Sequence, residues 1–241
     1  HTLTGDVTVA EGAKLVIQAG TTINIPAGVF IDVEGAICAG SASCGATQGS
    51  ASSQVRFEWA TPSDYSVTGR CYQQGNQLLT NSDAACGSGV IIRSTINQAS
   101  TGMSHVSFNN AYGYPIYVQT LQAVQYGTLV FDGSSAVVDN LAFSNINTSN
   151  IIALDFAAPT IRDSTFTLGD DGRGYDAAAV RAYEAGAGIL SALTITGSTF
   201  TGNTQAQCGN QGGGRVLIYA ESSYVSMDNL DIKDNAYGAF F

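Results

Sequence analysis

The sequence predicts an all-β solenoid of stacked strands with loop insertions. One observation is a repeated six-residue motif, in which two apolar residues enclose four mostly small or polar ones. Its five copies lie at 103–108, 138–143, 161–166, 195–200 and 227–232. The closing anchors, 35, 23, 34 and 32 residues apart, are Phe108, Phe143, Phe166, Phe200 and Ile232. Periods of this size indicate stacked supersecondary units, in which each anchor packs on its counterpart about 4.8 Å away.

A second observation is the opening of the chain, which predicts four short strands. Residues 7–9, 14–17, 21–25 and 29–33 alternate apolar and polar side chains, are rich in β-branched residues and are separated by glycine and proline. Residues 54–57 form a further strand. No window has a convincing helical period, and the alanine-rich segment 176–187 is predicted as a loop or short turn.

Turn residues follow the anchors at regular places. These residues are Asn110, Asn145, Gly169, Asn203 and Asn235. Asparagine tolerates positive φ and hydrogen-bonds locally, so it suits such turns, and stacked asparagines are expected to bond from rung to rung. His105 occupies a repeat position that holds Asn140, Asp163, Gly197 and Asn229 in the other copies. Since that position accepts varied polar residues, it is predicted to face outward.

The whole chain, residues 1–241, is predicted to form one domain with two insertions, at 36–53 and 60–89. Both are predicted to be surface loops pinned by local disulfides, because each contains a closely spaced cysteine pair: Cys38 with Cys44, and Cys71 with Cys86. Two such bridges favour an oxidising, extracellular setting. Cys208 is the fifth cysteine and has no partner in these two pairs, so it is either a buried thiol or half of an intermolecular bridge.

Charge excludes several classes of partner. Only 12% of residues are charged, and nineteen acids against nine bases give a net charge of -10. A surface of this sign repels phosphate backbones and anionic lipids, so neither nucleic acid nor a membrane is an expected partner. No apolar run is long enough to span a bilayer. Because the chain begins with histidine, a mature or trimmed product is expected.

The opening residues 1–23 resemble the usual first coil of a known class of surface protein. Residues 54–57 resemble a later short strand of that class, and the five repeated motifs resemble the internal rungs of those proteins. Over nearly its whole length the chain is similar to right-handed parallel β-helix proteins of the pectin-lyase-like type, especially large secreted surface proteins. The resemblance implies a right-handed parallel β-helix, but fold alone does not fix function.

One acidic cluster is comparable to the aspartates that pectin-degrading members of this fold use. It consists of Asp170, Asp171 and Asp176. Three carboxylates suit a hard cation such as calcium, and two suit the acid and base of glycoside hydrolysis. The Gly-x-His-Gly and Arg-Ile-Lys motifs of polygalacturonases are absent, and no arginine matches the pectate-lyase pattern. A solvated acidic loop is therefore the preferred interpretation, ahead of a calcium site and of catalysis.

Other site chemistry has weaker support. Only His1 and His105 carry imidazoles, and no Ser/His/Asp set can be assembled from the sequence. Asn147 begins the one glycosylation sequon. No catalytic residue is assigned, so enzymatic activity stays an open question, and a non-enzymatic role is the preferred interpretation.

The sequence favours an extracellular structural protein whose copies stack head to tail. The end rungs of a parallel solenoid present unpaired strand edges, and the apolar tail 236–241 offers groups for a contact with the next copy. The expected interface residues are His1, Tyr237, Phe240, Phe241 and Cys208. The alternative function is that of a polysaccharide-binding or polysaccharide-cleaving β-helix, with glycans as partners.

Overall fold

The computed structural model describes residues 1–60, 88–93, 100–111, 113–118, 123–146, 149–154, 157–168, 178–183, 191–201, 217–220 and 223–234. Strands dominate these ranges, and the chain passes through them in successive rungs. No helix in the described ranges combines the length and apolarity needed to cross a membrane.

The first three rungs contain eight strands. They are β1 Val7–Val9, β2 Lys14–Ile17 and β3 Thr22–Ile25; β4 Ile31–Val33, β5 Ala36–Ala39 and β6 Val55–Trp59; and β7 Val90–Arg93 and β8 Gly102–Asn109. A short 3-10 helix, Ala42–Cys44, lies between β5 and β6.

The later rungs continue the same order. The strand β9 Tyr114–Val118 precedes the fourth rung, which comprises β10 Ala123–Asp132 and β11 Val137–Ile146. The fifth rung comprises β12 Ser149–Leu154, β13 Thr160–Arg162 and β14 Thr165–Leu168; the sixth, β15 Val180–Ala182, β16 Ala192–Thr196 and β17 Thr199–Thr201; and the seventh, β18 Ile218–Ala220, β19 Tyr224–Asp228 and β20 Asp231–Ile232.

These strands form two long sheets. The first sheet runs in the order β1-β4-β7-β10-β12-β15-β18, and the second contains the other strands of every rung. All rung-to-rung pairs are parallel, and β9 pairs with β10 in the antiparallel sense. This arrangement fits a β-helix or solenoid-like fold, as the spacing of the repeats predicts. The right-handed sense of the coil stays a prediction.

A column of aromatic rings fills the core behind the second sheet. Phe57, Phe108, Phe143, Phe166 and Phe200 are register partners in consecutive rungs, and all are buried. Their ring centroids lie 4.6 to 5.4 Å apart, with nearly parallel planes. The predicted row of buried anchors is therefore confirmed. The fifth anchor, Ile232, shares the column but lies in the seventh rung, where it is exposed.

The predicted opening strands are confirmed to within two residues. Two loop assignments are corrected. Segment 36–53 begins with the buried strand β5, so its loop starts only after Ala39. Within 176–187, β15 is a buried strand. Both strands lie in alanine-rich segments, where packing between neighbouring rungs outweighs the weak intrinsic β-propensity of alanine. Most of the 60–89 insertion, with Cys71 and Cys86, lies outside the described residues.

The disulfide between Cys38 and Cys44 is confirmed, with a Cα–Cα distance of 5.6 Å. The loop that follows it lies against both neighbouring rungs. The Thr47 backbone N–H donates to Gln18 Oε1 of the first rung at 2.6 Å. The Gln48 amide donates to Ser104 Oγ of the third rung at 3.0 Å. The loop thus holds three rungs together.

Candidate functional site

The second sheet bends sharply at one position in each rung from the second onward. The six residues there have φ between 48° and 60°: Gly40, His105, Asn140, Asp163, Gly197 and Asn229. This column was predicted only to be polar and to face outward. The structure gives a different reason for its composition, because glycine, asparagine and aspartate are the residues that best tolerate left-handed backbone. Asn110 and Asn145, predicted as turn residues with positive φ, are confirmed at 58° and 53°.

Replacing Asn140 by valine is expected to lower the free energy of unfolding by about 1–2 kcal/mol, because a β-branched residue is strained at φ 52°. Chemical denaturation followed by circular dichroism measures this loss. Asn140→Gly is the matched control, since it removes the same hydrogen bond to Asp139 but relaxes the backbone. Equal losses in both variants would show that the side-chain contact, and not the left-handed backbone, determines the choice of residue.

Side chains near the ends of β6, β8 and β11 form a ladder between rungs. The Asn145 amide donates to Asn109 Oδ1 at 2.8 Å, and the Asn109 amide donates to Glu58 Oε2 at 2.7 Å. The expected rung-to-rung bonding of asparagines is therefore present, although Asn109 and not Asn110 is the partner. In the fifth and sixth rungs two buried serines have the same role, because the Ser164 N–H donates to Ser198 Oγ at 3.1 Å.

The bend also brings together a serine, a histidine and an aspartate that are not recognisable as a set in the sequence. Ser104 Oγ donates to an Asp139 carboxylate oxygen and lies 3.0 Å from His105 Nδ1. In a catalytic triad the imidazole lies between the hydroxyl and the carboxylate. Here the hydroxyl contacts the carboxylate directly, and Ser104 is only 1% exposed. This geometry suits a structural clamp for the loop after Cys44 better than an activated nucleophile.

Two partly exposed arginines form ion pairs with aspartates of neighbouring rungs. Arg93 bridges Asp32 at 2.9 Å and Asp132 at 3.0 Å, and so ties the second, third and fourth rungs together. Arg162 contacts Asp139 at 3.5 Å. These ion pairs fasten one rung to the next on the outer wall.

Arg181 differs from these arginines because it is 4% exposed. Its guanidinium donates to Ser149 Oγ at 3.0 Å and to the Tyr183 hydroxyl, and it lies 5.4 Å from the centre of the Tyr219 ring. Hydrogen bonds and aromatic faces of this kind stabilise a buried guanidinium.

Most residues of the predicted sites lie outside the described ranges. The possible calcium ligands Asp170, Asp171 and Asp176 do, and so do the sequon residue Asn147 and the interface residues Cys208, Tyr237, Phe240 and Phe241. Within the described part of the chain, no three side chains of the metal-binding types cluster. The calcium, glycosylation and polysaccharide hypotheses therefore stay predictions from the sequence.

The end face at the first rung has two open strand edges. Among the strands that the structure describes, β1 pairs only with β4, and β2 only with β5. The edge of β3 is occupied by the start of the chain, contrary to the expectation of a wholly unpaired first rung. The Asn24 N–H donates to the His1 carbonyl at 2.7 Å, and the Leu3 N–H donates to the Asn24 carbonyl at 2.9 Å. His1 thus contacts its own chain, and its ammonium donates to the Thr22 carbonyl at 2.8 Å.

The end face at the seventh rung leaves core positions uncovered. Met227 follows buried Ile195 in its column and is 36% exposed, and Ile232 follows buried Phe200 and is 49% exposed. Tyr224, which lies in an outward column, is exposed as well, whereas Ile218 in the first-sheet strand of the same rung is buried. Beside Ile232, a hydrogen bond from Lys233 to the Asp231 carboxylate raises the pKa of the lysine ammonium above its ordinary value.

Comparison with known proteins leaves the family open. No family model, curated protein or solved structure matches this chain. The pectin-lyase-like resemblance therefore rests on the quoted residues alone, and the parallel sheets support only its coarser part, a β-helix or solenoid-like fold.

Proposed function

We propose that this chain is an extracellular structural protein whose copies assemble end to end into a surface fibre or layer. The observation that carries the proposal is the seventh rung, where Met227 and Ile232 occupy core columns and are nevertheless exposed. Large apolar side chains at such positions favour a covering partner, because their full burial contributes about 1.5–3 kcal/mol each. The first rung offers that partner in the open edges of β1 and β2.

A contact between these two faces is head-to-tail and does not close on itself. One copy would present its seventh rung and receive the first rung of the next, so each addition regenerates the same free face. Pairing of strand edges across the contact supplies backbone hydrogen bonds in addition to apolar burial. A linear polymer is the expected product, and copies of the chain are the expected partners.

Other features agree with an extracellular setting. Disulfides such as Cys38–Cys44 are typical of oxidising compartments. The low content of charged residues suits side chains that pack between rungs better than side chains that are solvated. The tail 236–241 lies outside the described residues, and its part in the contact stays a prediction.

The proposal is tested by putting charge on the seventh rung. Met227→Lys combined with Ile232→Lys is expected to abolish polymers that the wild-type chain forms, since two buried cations would lack partners at the contact. Light scattering and negative-stain electron microscopy measure the polymers. Both positions are already exposed in the single chain, so the monomer should fold with nearly unchanged thermal stability.

Val137→Lys is the matched control, because Val137 is a similarly exposed valine (43%) on the side wall of the fourth rung. It should polymerise like the wild type. A wild-type chain that stays monomeric at high concentration would contradict the proposal. Equal loss of polymer in the control would point to lateral contacts instead of end-to-end ones.

A further inference from the structure

The outer face of the first sheet contains a buried positive charge. One column of register partners on this face consists of Ile91, Val130, Ile152, Arg181 and Tyr219. The first three are buried and pack in one apolar cluster with Tyr183, against which Tyr219 also packs. Arg181 follows them in the sixth rung and is 4% exposed, so its guanidinium lies in a largely apolar column.

No carboxylate of the described residues forms an ion pair with Arg181. Arg93 and Arg162 are each paired with aspartate, although their side chains are 34% and 49% exposed. This order is the reverse of what burial requires, because a buried ion needs a partner far more than a solvated one does. The charge of Arg181 therefore lacks compensation within the described part of the chain.

The guanidinium also has unused hydrogen-bond donors. An arginine side chain carries five N–H groups. The Nε group donates to Ser149 Oγ at 3.0 Å, and Nη1 donates to the Tyr183 hydroxyl. Among the described residues, Nη2 has no acceptor for either of its N–H groups. A buried positive charge with unused donors favours a negatively charged acceptor.

We propose that Arg181 binds a small organic carboxylate, which accepts hydrogen bonds from Nη2. The planar guanidinium matches the two oxygens of a carboxylate in geometry as well as in charge. The net charge of -10 repels anions of high charge most strongly, which favours a monovalent ligand over a phosphate or an acidic polymer. The site lies apart from both end faces, so this inference does not rest on end-to-end assembly.

The neighbours of the guanidinium suit the carbon part of such a ligand and limit its size. The centre of the Tyr219 ring lies 5.4 Å from the guanidinium carbon, and Tyr219 is partly exposed, whereas Ile152 and Tyr183 are fully buried. Solvent therefore reaches the site from the side of Tyr219. Because Arg181 itself is almost wholly buried, a short carbon chain is expected on the ligand.

Stability measured against acetate concentration tests the proposal. A ligand that binds only the folded chain raises the folding equilibrium constant in proportion to its concentration once the site is nearly full. Over that range, a tenfold increase in acetate should raise the constant about tenfold. Urea denaturation followed by circular dichroism measures the constant, and sodium chloride replaces sodium acetate in the reference samples at equal ionic strength.

Arg181→Met removes the charge and the donors but keeps a long apolar side chain, and it should abolish the response to acetate. Arg162→Met is the matched control, because Arg162 pairs with Asp139 on the exposed wall. It should respond to acetate like the wild type. Arg181→Lys retains the charge without the planar guanidinium and should respond less than the wild type.

Equal stability of the wild type in acetate and in chloride would overturn the carboxylate site. A full response in Arg181→Met would also overturn it, because the ligand would then bind elsewhere. If neither variant of Arg181 folds, nuclear magnetic resonance of the wild type decides. Acetate should shift the Nε–Hε resonance of Arg181 to a saturating value, and an unshifted resonance contradicts the proposal. The polymerisation test on the seventh rung is separate from all of these outcomes.

Discussion

Replacing Phe166 by alanine is expected to lower the free energy of unfolding by about 3–5 kcal/mol. The ring is fully buried in the aromatic column, 5.4 Å from that of Phe143 and 4.6 Å from that of Phe200. Truncation leaves a cavity between two large neighbours in rigid register, and the parallel strands prevent these neighbours from closing it. Urea denaturation followed by circular dichroism measures the loss.

Thr165→Ala provides the comparison for this variant. Thr165 is the preceding residue of β14, its side chain is exposed, and its loss should change the free energy of unfolding by less than about 0.5 kcal/mol. A loss below about 1 kcal/mol for Phe166→Ala would mean that the column tolerates gaps. The rungs would then be held together chiefly by their backbone ladders.

Replacing Gly35 by alanine is expected to cost about 3 kcal/mol, at the upper end for overpacking by one methyl group. An added Cβ would lie 2.2 Å from the Ala13 carbonyl oxygen and 2.4 Å from that of Ala10. Both are backbone atoms of the first rung. They can move away only if the first and second rungs separate, which strains the bonds from the Glu34 and Gly35 N–H groups to the Val9 carbonyl.

Gly5→Ala is the control for Gly35→Ala, because an added Cβ at Gly5 meets nothing within 4 Å. It should be neutral or slightly stabilising, since alanine restricts the unfolded chain. Thermal unfolding of the two variants side by side measures the difference. Equal stability would indicate that the first rung shifts freely on the second, and that it is a poor platform for docking another copy.

The fold was largely predictable because its two strongest signals are local. Alternation of apolar residues places β1 to β4, and the spacing of the phenylalanines places the aromatic column. β5 and β15 were missed because both lie in alanine-rich segments, and alanine carries little β signal of its own. Their strand character arises from close neighbours above and below, which is information that only the stacked structure contains.

Less of the candidate site was predictable, and for a different reason. The residues at the bend, among them His105, Asn140 and Asp163, form a set that is visible in the sequence. Their polarity was interpreted as a consequence of an outward position. The structure shows that these residues also have a left-handed backbone, which favours the same residue types. The contact of Ser104 with Asp139 joins residues 35 positions apart and depends on strand register.

The loop after Cys44 makes the two ends of the solenoid unequal in their resistance to mechanical unfolding. It forms hydrogen bonds with Gln18 of the first rung and Ser104 of the third rung, and the disulfide links it to β5 of the second. The first three rungs are therefore cross-linked to one another. In the described part of the seventh rung, cohesion depends on short strands and half-covered side chains. Under tension along the axis, we expect the molecule to unravel from the seventh rung toward the first three. In a fibre, each joint would then pair the strongest end of one subunit with the weakest end of its neighbour.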